Sequence, residues 1–189
     1  MEAPAAEGGG VHLPAAACLA LCDALPRADG LEAALAIVDG VRRDLLGPGL
    51  LTVNLRCDSG PVPPGGTLVL QRIWTSDAQA YPVAGRKHKT LTPWTRQLLL
   101  EARVFVGEGR QRLSEVFDDH ALIDSLGLQA IVNVPLLDAH GRCFATFNAL
   151  GTRPVWQAHE VLLLRLLATL ATPAVARTAG TIGRQSLAA

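Results

Sequence analysis

With 189 residues, 49% of them hydrophobic, the chain is long enough for one domain with a sizeable core, which argues against global disorder. Seventeen basic residues balance seventeen acidic ones, so no net field draws the protein to nucleic acid or to an anionic membrane surface. Four cysteines without a C-x-x-C pair point to a reducing compartment, the cytoplasm by default.

Residues 1–12 are rich in Ala and Gly and read as a flexible arm, ahead of a single domain over 13–178 and a flexible tail over 179–189. A first helix spans about Leu13 to Leu25, where Cys18 and Cys22 share a face as small core residues. Asp29 caps a second, with Leu31, Leu35, Val38, Val41 and Leu45 at helical spacing. Leu50 to Arg56 alternates as a strand, with Leu51, Val53 and Leu55 on one face, and Thr67 to Thr75 forms the next. Between Ser76 and Lys89 there is no periodicity, and Pro82 and Gly85 mark a loop. Thr92-Pro93-Trp94 starts a helix with a cap and a proline in its first turn. A short strand at Val104 to Val106 and two short helical pieces follow, around Gln111 to Phe117 and Asp119 to Leu126, the second with Asp118 as its cap. The apolar run from Val161 to Ala176 is interrupted by Arg165 and Pro173, which argues against a membrane span. Its leucines cover more than one helix face, which points to burial on two sides and to a homodimer through the terminal helices.

The segment from Leu128 to Leu150 organises the rest. It reads as a β-hairpin turning at Asp138-Ala139-His140-Gly141. Ala130, Val132, Val134, Leu136, Cys143, Ala145, Phe147 and Ala149 share an apolar face that belongs on the helices. The opposite face carries Gln129, Asn133, Thr146 and Asn148 among Ile131, Pro135 and Phe144. A two-residue loop sets Asn133 opposite Thr146 and Ile131 opposite Asn148.

This hairpin, with Pro135, Gly141, Ala145-Thr146-Phe147-Asn148 and Trp156 before the last helix, resembles the GAF domain family over roughly Leu31 to Arg177. The resemblance implies an α+β fold: a central antiparallel sheet, terminal helices on one face, and short helices and loops covering a ligand cavity on the other. It also implies a sensory or regulatory small-molecule-binding protein. Fold alone does not choose among the ligands, so no cofactor follows.

Ile73 to Trp94 concentrates both lysines, the only tyrosine and two of three tryptophans on a patternless loop, where binding groups tend to sit. Trp74, Tyr81 and Trp94 are expected to wall the cavity, and Arg86 and Lys87 to bind an anion. Phe105 and Glu108, beside a glycine pair that lets a ligand approach, complete the set with Asn133, Thr146 and Asn148. The asparagines either orient a ligand or hold the covering loop, since buried amides need partners. Asp119-His120 offers a weaker acid/base or metal reading. One enzymatic alternative is a cysteine-dependent free methionine sulfoxide reductase using Cys57 and Cys143. Another alternative is a structural dimerisation module with a filled cavity.

Overall fold

A computed structural model describes residues 13–57, 66–83 and 86–187, with side chains to Ile182; the expected N-terminal arm and most of the turn after the first strand lie outside them. Helix α1, Ala15–Leu19, continues through a π turn, Ala20–Ala24, and a 3-10 turn, Leu25–Arg27. Then come α2 (Gly30–Leu46), β1 (Gly49–Arg56), β2 (Leu68–Thr75), β3 (Arg86–Lys89) and α3 (Pro93–Thr95, prolonged by a π turn Arg96–Leu100). The chain goes on with β4 (Phe105–Glu108), α4 (Gly109–Val116), α5 (His120–Ser125), β5 (Ala130–Leu137), β6 (Cys143–Gly151) and α6 (Ala158–Leu187). The strands form one antiparallel sheet in the order β3-β2-β1-β6-β5-β4, an α+β arrangement.

Alternation gives the sheet its two faces. Leu51, Val53 and Leu55 of β1 join Ala130, Val132, Val134 and Leu136 of β5 and Ala145, Phe147 and Ala149 of β6 in one core. Against them pack Ala34, Leu35, Val38 and Val41 of α2 and Leu163, Leu164, Leu167, Ala168, Ala171 and Val175 of α6. Each such leucine or phenylalanine contributes about 1.5–3 kcal/mol of burial, so this layer is the main source of stability. By length and apolar composition Ala158–Ile182 would also suit a membrane span, but its inward face is committed to the sheet. The helix runs through Pro173 and past residue 179, where a flexible tail was expected, and Ala179 and Ile182 still touch the core.

The hairpin register differs by two residues from the two-residue-loop expectation: Asn133 faces Asn148, and Thr146 faces Pro135. A shift by an even number keeps every side chain on its face, so the face assignment holds. The loop is wider because Asp138 folds it around its own carboxylate, which accepts from the amides of His140 and Arg142 at 2.8 and 2.9 Å. These bonds and the Arg142 guanidinium hold the Asp138 carboxyl down at about 2. A bulge after Leu136 sets Leu137 opposite Cys143 and skips Phe144. Phe144 consequently packs on the helix core, and Cys143 moves to a separate cluster with Leu68, Leu70, Leu98 and Leu99. That reverses the expected faces of both residues. Cys18 and Cys22 are likewise exposed instead of core.

β3 is the strand that the lack of periodicity concealed. Its four residues, Arg-Lys-His-Lys, are all polar because it is an edge strand, where charge discourages pairing with another chain. At the other end of the core, Arg42 of α2 is fully buried. Its Nε donates to Asp39 Oδ1 at 2.7 Å, and its two terminal nitrogens donate to the carbonyls of Gly47 and Gly49 at 3.2 and 3.4 Å. The guanidinium therefore caps α2 from within and fixes the turn into β1.

Candidate functional site

The face of the sheet turned away from α2 and α6 is covered by the turn that carries Tyr81, by α3 and by residues 117–123, and a cavity of about 70 Å³ lies between them. Its floor is Thr52 and Asn54 of β1, Leu70 and Arg72 of β2, Ile131 and Asn133 of β5, and Asn148 and Leu150 of β6. Lys87 and Lys89 reach in from the edge strand β3, and the cover contributes Tyr81, Trp94, Phe117, Asp119 and Ile123.

Local structure aims these groups. Asp77 accepts from the amides of Gln79 and Ala80, both at 3.0 Å, tightening the turn that points Tyr81 inward. A reciprocal capping box sets the entry of α3: the Thr92 amide donates to Thr95 Oγ1 at 2.7 Å, and the Thr95 amide donates to Thr92 Oγ1 at 3.2 Å. Trp94, one residue into that helix, then meets Phe117 edge to face at 5.4 Å. Its Nε1 donates to Asn133 Oδ1 at 3.0 Å, and Asn133 Nδ2 donates to Asn148 Oδ1 at 2.7 Å. Asn148 Nδ2 in turn reaches the hydroxyls of Thr146 and Thr52 at 3.1 and 3.3 Å. The two strand asparagines thus tie the cover to the floor and knit three strands, which satisfies most of their own donors and acceptors.

The charged groups are arranged differently. Arg72 lies 4.5 Å over the Tyr81 ring, and its Nη1 donates to the Pro82 carbonyl at 3.1 Å. Its Nε is buried with no hydrogen-bond partner. Burial lowers the Arg72 pKa, against the pull of Tyr81 and Asp119. Tyr81 Oη donates to Asp119 Oδ2 at 2.8 Å, and Lys87 Nζ donates to the same oxygen at 3.4 Å. Burial pushes the Asp119 carboxyl up, but Lys87 and the Tyr81 hydroxyl outweigh it and hold it below its ordinary value. Lys89 pairs with Asp118 at 2.6 Å and lowers that carboxyl too, first through the hydrogen bond.

Burial, followed by the neighbouring Asp119, pushes the Tyr81 phenol well above 10. A raised folded-state pKa means that the neutral phenol favours the fold below pH 10, and this stabilisation is lost as pH rises through the folded value. Because Tyr81 is the only tyrosine, phenolate absorbance during alkaline titration reports it alone. We expect the phenolate to appear late, together with unfolding, and earlier in Asp119→Asn. An ordinary tyrosine titration in the intact fold would contradict this arrangement.

The sequence-expected residues separate cleanly. Tyr81, Lys87, Trp94, Asn133 and Asn148 line the cavity. Thr146 is buried beside it and supports Asn148. Trp74 is in the helix core instead: a bulge opposite Val53 and Asn54 makes Ile73 the extra residue and rotates Trp74 to the other face. Arg86 pairs with Gln71, one residue out of phase with Lys87 and Lys89, so it is exposed and off the cavity. Phe105 packs against Phe117 at 6.2 Å behind the cavity wall, and Glu108 accepts from the Trp156 amide at 2.9 Å. Arg72, Lys89 and Asn54 were missed, and Asp119 was singled out only for acid/base or metal chemistry with His120. The signal for Arg72 was its alternation with Leu68 and Leu70 on one strand face. Asp119, not the expected Asp118, takes the N-cap position of α5, yet its side chain makes no capping bond and turns to Tyr81 and Lys87 instead. His120 Nδ1 sits 3.0 Å from the Phe117 carbonyl, and no cluster of metal-ligating side chains occurs among the described residues. Neither Cys57 nor Cys143 lines the cavity.

A sequence profile described as "GAF domain" matches residues 12–175. The GAF domain of a phosphoenolpyruvate-protein phosphotransferase from Coxiella burnetii superposes with a TM-score of 0.63 at 13% identity, covering 89% of this chain and 95% of that one. The chromophore-binding domain of a bacteriophytochrome from R. palustris gives 0.57 at 15% identity over 85% of this chain, which spans 59% of that domain's length. A far-red absorbing dark-state structure with bound biliverdin gives 0.54 at 16% identity, covering 84% and 97%. No protein of curated function matches. At such identities these likenesses establish the fold alone.

Proposed function

The chain belongs to the GAF domain family, and from that membership we propose that it is a sensory, small-molecule-binding module. Its ligand is small, polar or anionic, and sits under the segment from Tyr81 to Trp94. The observation that carries this reading is Arg72, a cation on the cavity floor whose buried Nε has no partner. Buried donors are nearly always satisfied, and one left open beside a cavity is suited to an arriving acceptor. Drug-sized ligands occupy roughly 300–1,000 Å³. At about 70 Å³ the cavity favours a far smaller molecule than the biliverdin bound in one structural neighbour. Binding is favoured over cysteine chemistry, since neither Cys57 nor Cys143 reaches the cavity.

Leu162 and Leu166 are exposed on the outer side of α6, which supports a homodimer through the terminal helices as the route for a signal. The zero formal charge supports a partner set without nucleic acid or membrane, and four cysteines without a C-x-x-C pair support a cytoplasmic setting.

A thermal-shift screen of small metabolites tests the reading. A ligand at about 100 times its Kd stabilises by about 2.7 kcal/mol, or roughly 5–10 °C for a domain of this size. We expect at least one compound to do this, with the response lost in Arg72→Gln and kept in Arg86→Gln. Responses that survive Arg72→Gln would move the ligand elsewhere, and a screen without any response would leave the module without its proposed role.

A further inference from the structure

The charges around the cavity say more about the ligand than its size does. Arg72, Lys87 and Lys89 face Asp119 inside and Asp118 at the rim, so three cations meet two carboxylates and one positive charge is left over. That surplus resides on Arg72, which is flanked across the strand pair by Asn54. The Asn54 side chain has no hydrogen-bond partner among the described residues, whereas the Asn133 and Asn148 amides are largely engaged with each other and with Trp94. The open donors therefore sit at one end of the cavity. Leu70, Ile131, Leu150, Phe117 and Ile123 give the remainder an apolar lining. An occupant with one negative end and a short hydrocarbon body matches this division.

The protein already places such a group here. Asp119 stands at the start of α5 but caps no backbone amide; its carboxylate enters the cavity wall and accepts from Tyr81 and Lys87. A planar two-oxygen acceptor also suits the guanidinium fork better than it suits an ammonium point charge. In volume, about 70 Å³ is about half of the roughly 150 Å³ cavity that holds the six carbons of benzene, which limits the occupant to about three to five heavy atoms. We infer that the cavity selects short-chain monocarboxylates of about two to three carbons at Arg72, and that the Asp119 carboxylate, which lines the same cavity, opposes their binding by like charge. This inference rests on the binding reading above and narrows it to one ligand class.

The test follows the Trp94 indole N–H by NMR in the intact chain, assigned with Trp94→Phe, at constant ionic strength. Acetate, propionate and butyrate are titrated beside propionamide, hexanoate and inorganic phosphate. Acetate and propionate are expected to shift the signal saturably, with propionamide silent and butyrate and hexanoate weaker. Arg72→Gln weakens propionate at least about tenfold, as expected for loss of a charge-assisted bond. Lys89→Gln, at a more peripheral position, gives a smaller loss and serves if Arg72→Gln does not fold. Asp119→Asn, which removes the opposing negative charge, tightens propionate about two- to fivefold. Propionamide binding as well as propionate, or Asp119→Asn leaving affinity unchanged or weaker, overturns the inference. Phosphate or a larger metabolite shifting Trp94 while the carboxylates do not would overturn it and keep the cavity a binding site. Silence from every compound, in this titration and in the metabolite screen, overturns both.

Discussion

Arg42→Ala is expected to destabilise the fold by about 3–5 kcal/mol, the largest effect of any single polar substitution proposed here. The guanidinium is wholly buried, and so is the Asp39 carboxylate it bonds at 2.7 Å. Removing Arg42 leaves that carboxylate in the core with only Arg43, which reaches it from the surface at 2.7 Å. The Gly47 and Gly49 carbonyls lose their donors in the same step, at the point where α2 gives way to β1. Arg43 partly compensates, so the low end of the range applies. The double change Asp39→Leu/Arg42→Met takes both charges out of the core and should cost less than Arg42→Ala alone. Denaturant midpoints of the three proteins decide it. A loss below about 1 kcal/mol for Arg42→Ala would mean that water or backbone relaxation replaces the guanidinium.

Asn148→Ala should cost about 2–4 kcal/mol and free the cover at the same time. Asn148 Oδ1 is the acceptor for Asn133, whose own carbonyl oxygen holds the Trp94 indole. Truncation leaves an Asn133 N–H buried without an acceptor and turns the Thr52 and Thr146 hydroxyls toward a small void. Because the effect passes through Asn133, the pair Asn148→Ala and Asn133→Ala should be non-additive, with a coupling of about 0.5–3 kcal/mol. Trp74 and Trp156 lie in the helix core, so a change in tryptophan emission would belong to Trp94. Additive losses with unchanged emission would show that the two amides act separately.

How much of this was readable from the residues follows from periodicity. The faces of the hairpin were legible because Val132, Val134 and Phe147 alternate with Asn133 and Asn148, and a two-residue register error preserves that alternation. The second helix was legible from Asp29 and the spacing of Leu35, Val38 and Val41. The losses occurred where one extra residue broke the period. The bulge at Ile73 took Trp74 out of the site, and the one that skips Phe144 exchanged its face with that of Cys143. A bulge leaves no compositional mark in either strand, since its cause is the partner strand. The role of Asp119 was hidden for another reason: a carboxylate in the first turn of a helix, after a cap expected at Asp118, reads as serving that helix, and only the position of Tyr81 and Lys87 in space shows that it serves them.

Lys87 and Lys89 stand two residues apart on β3, opposite Leu70 and Leu68, and so move as one lever. Among the described residues that strand hydrogen-bonds to β2 alone. Its outward margin can peel or slide without tearing the leucine layer beneath α6, unlike any interior strand. Amide exchange at 86–89 should therefore be the fastest in the sheet, and it should respond to occupancy before the helices register any change.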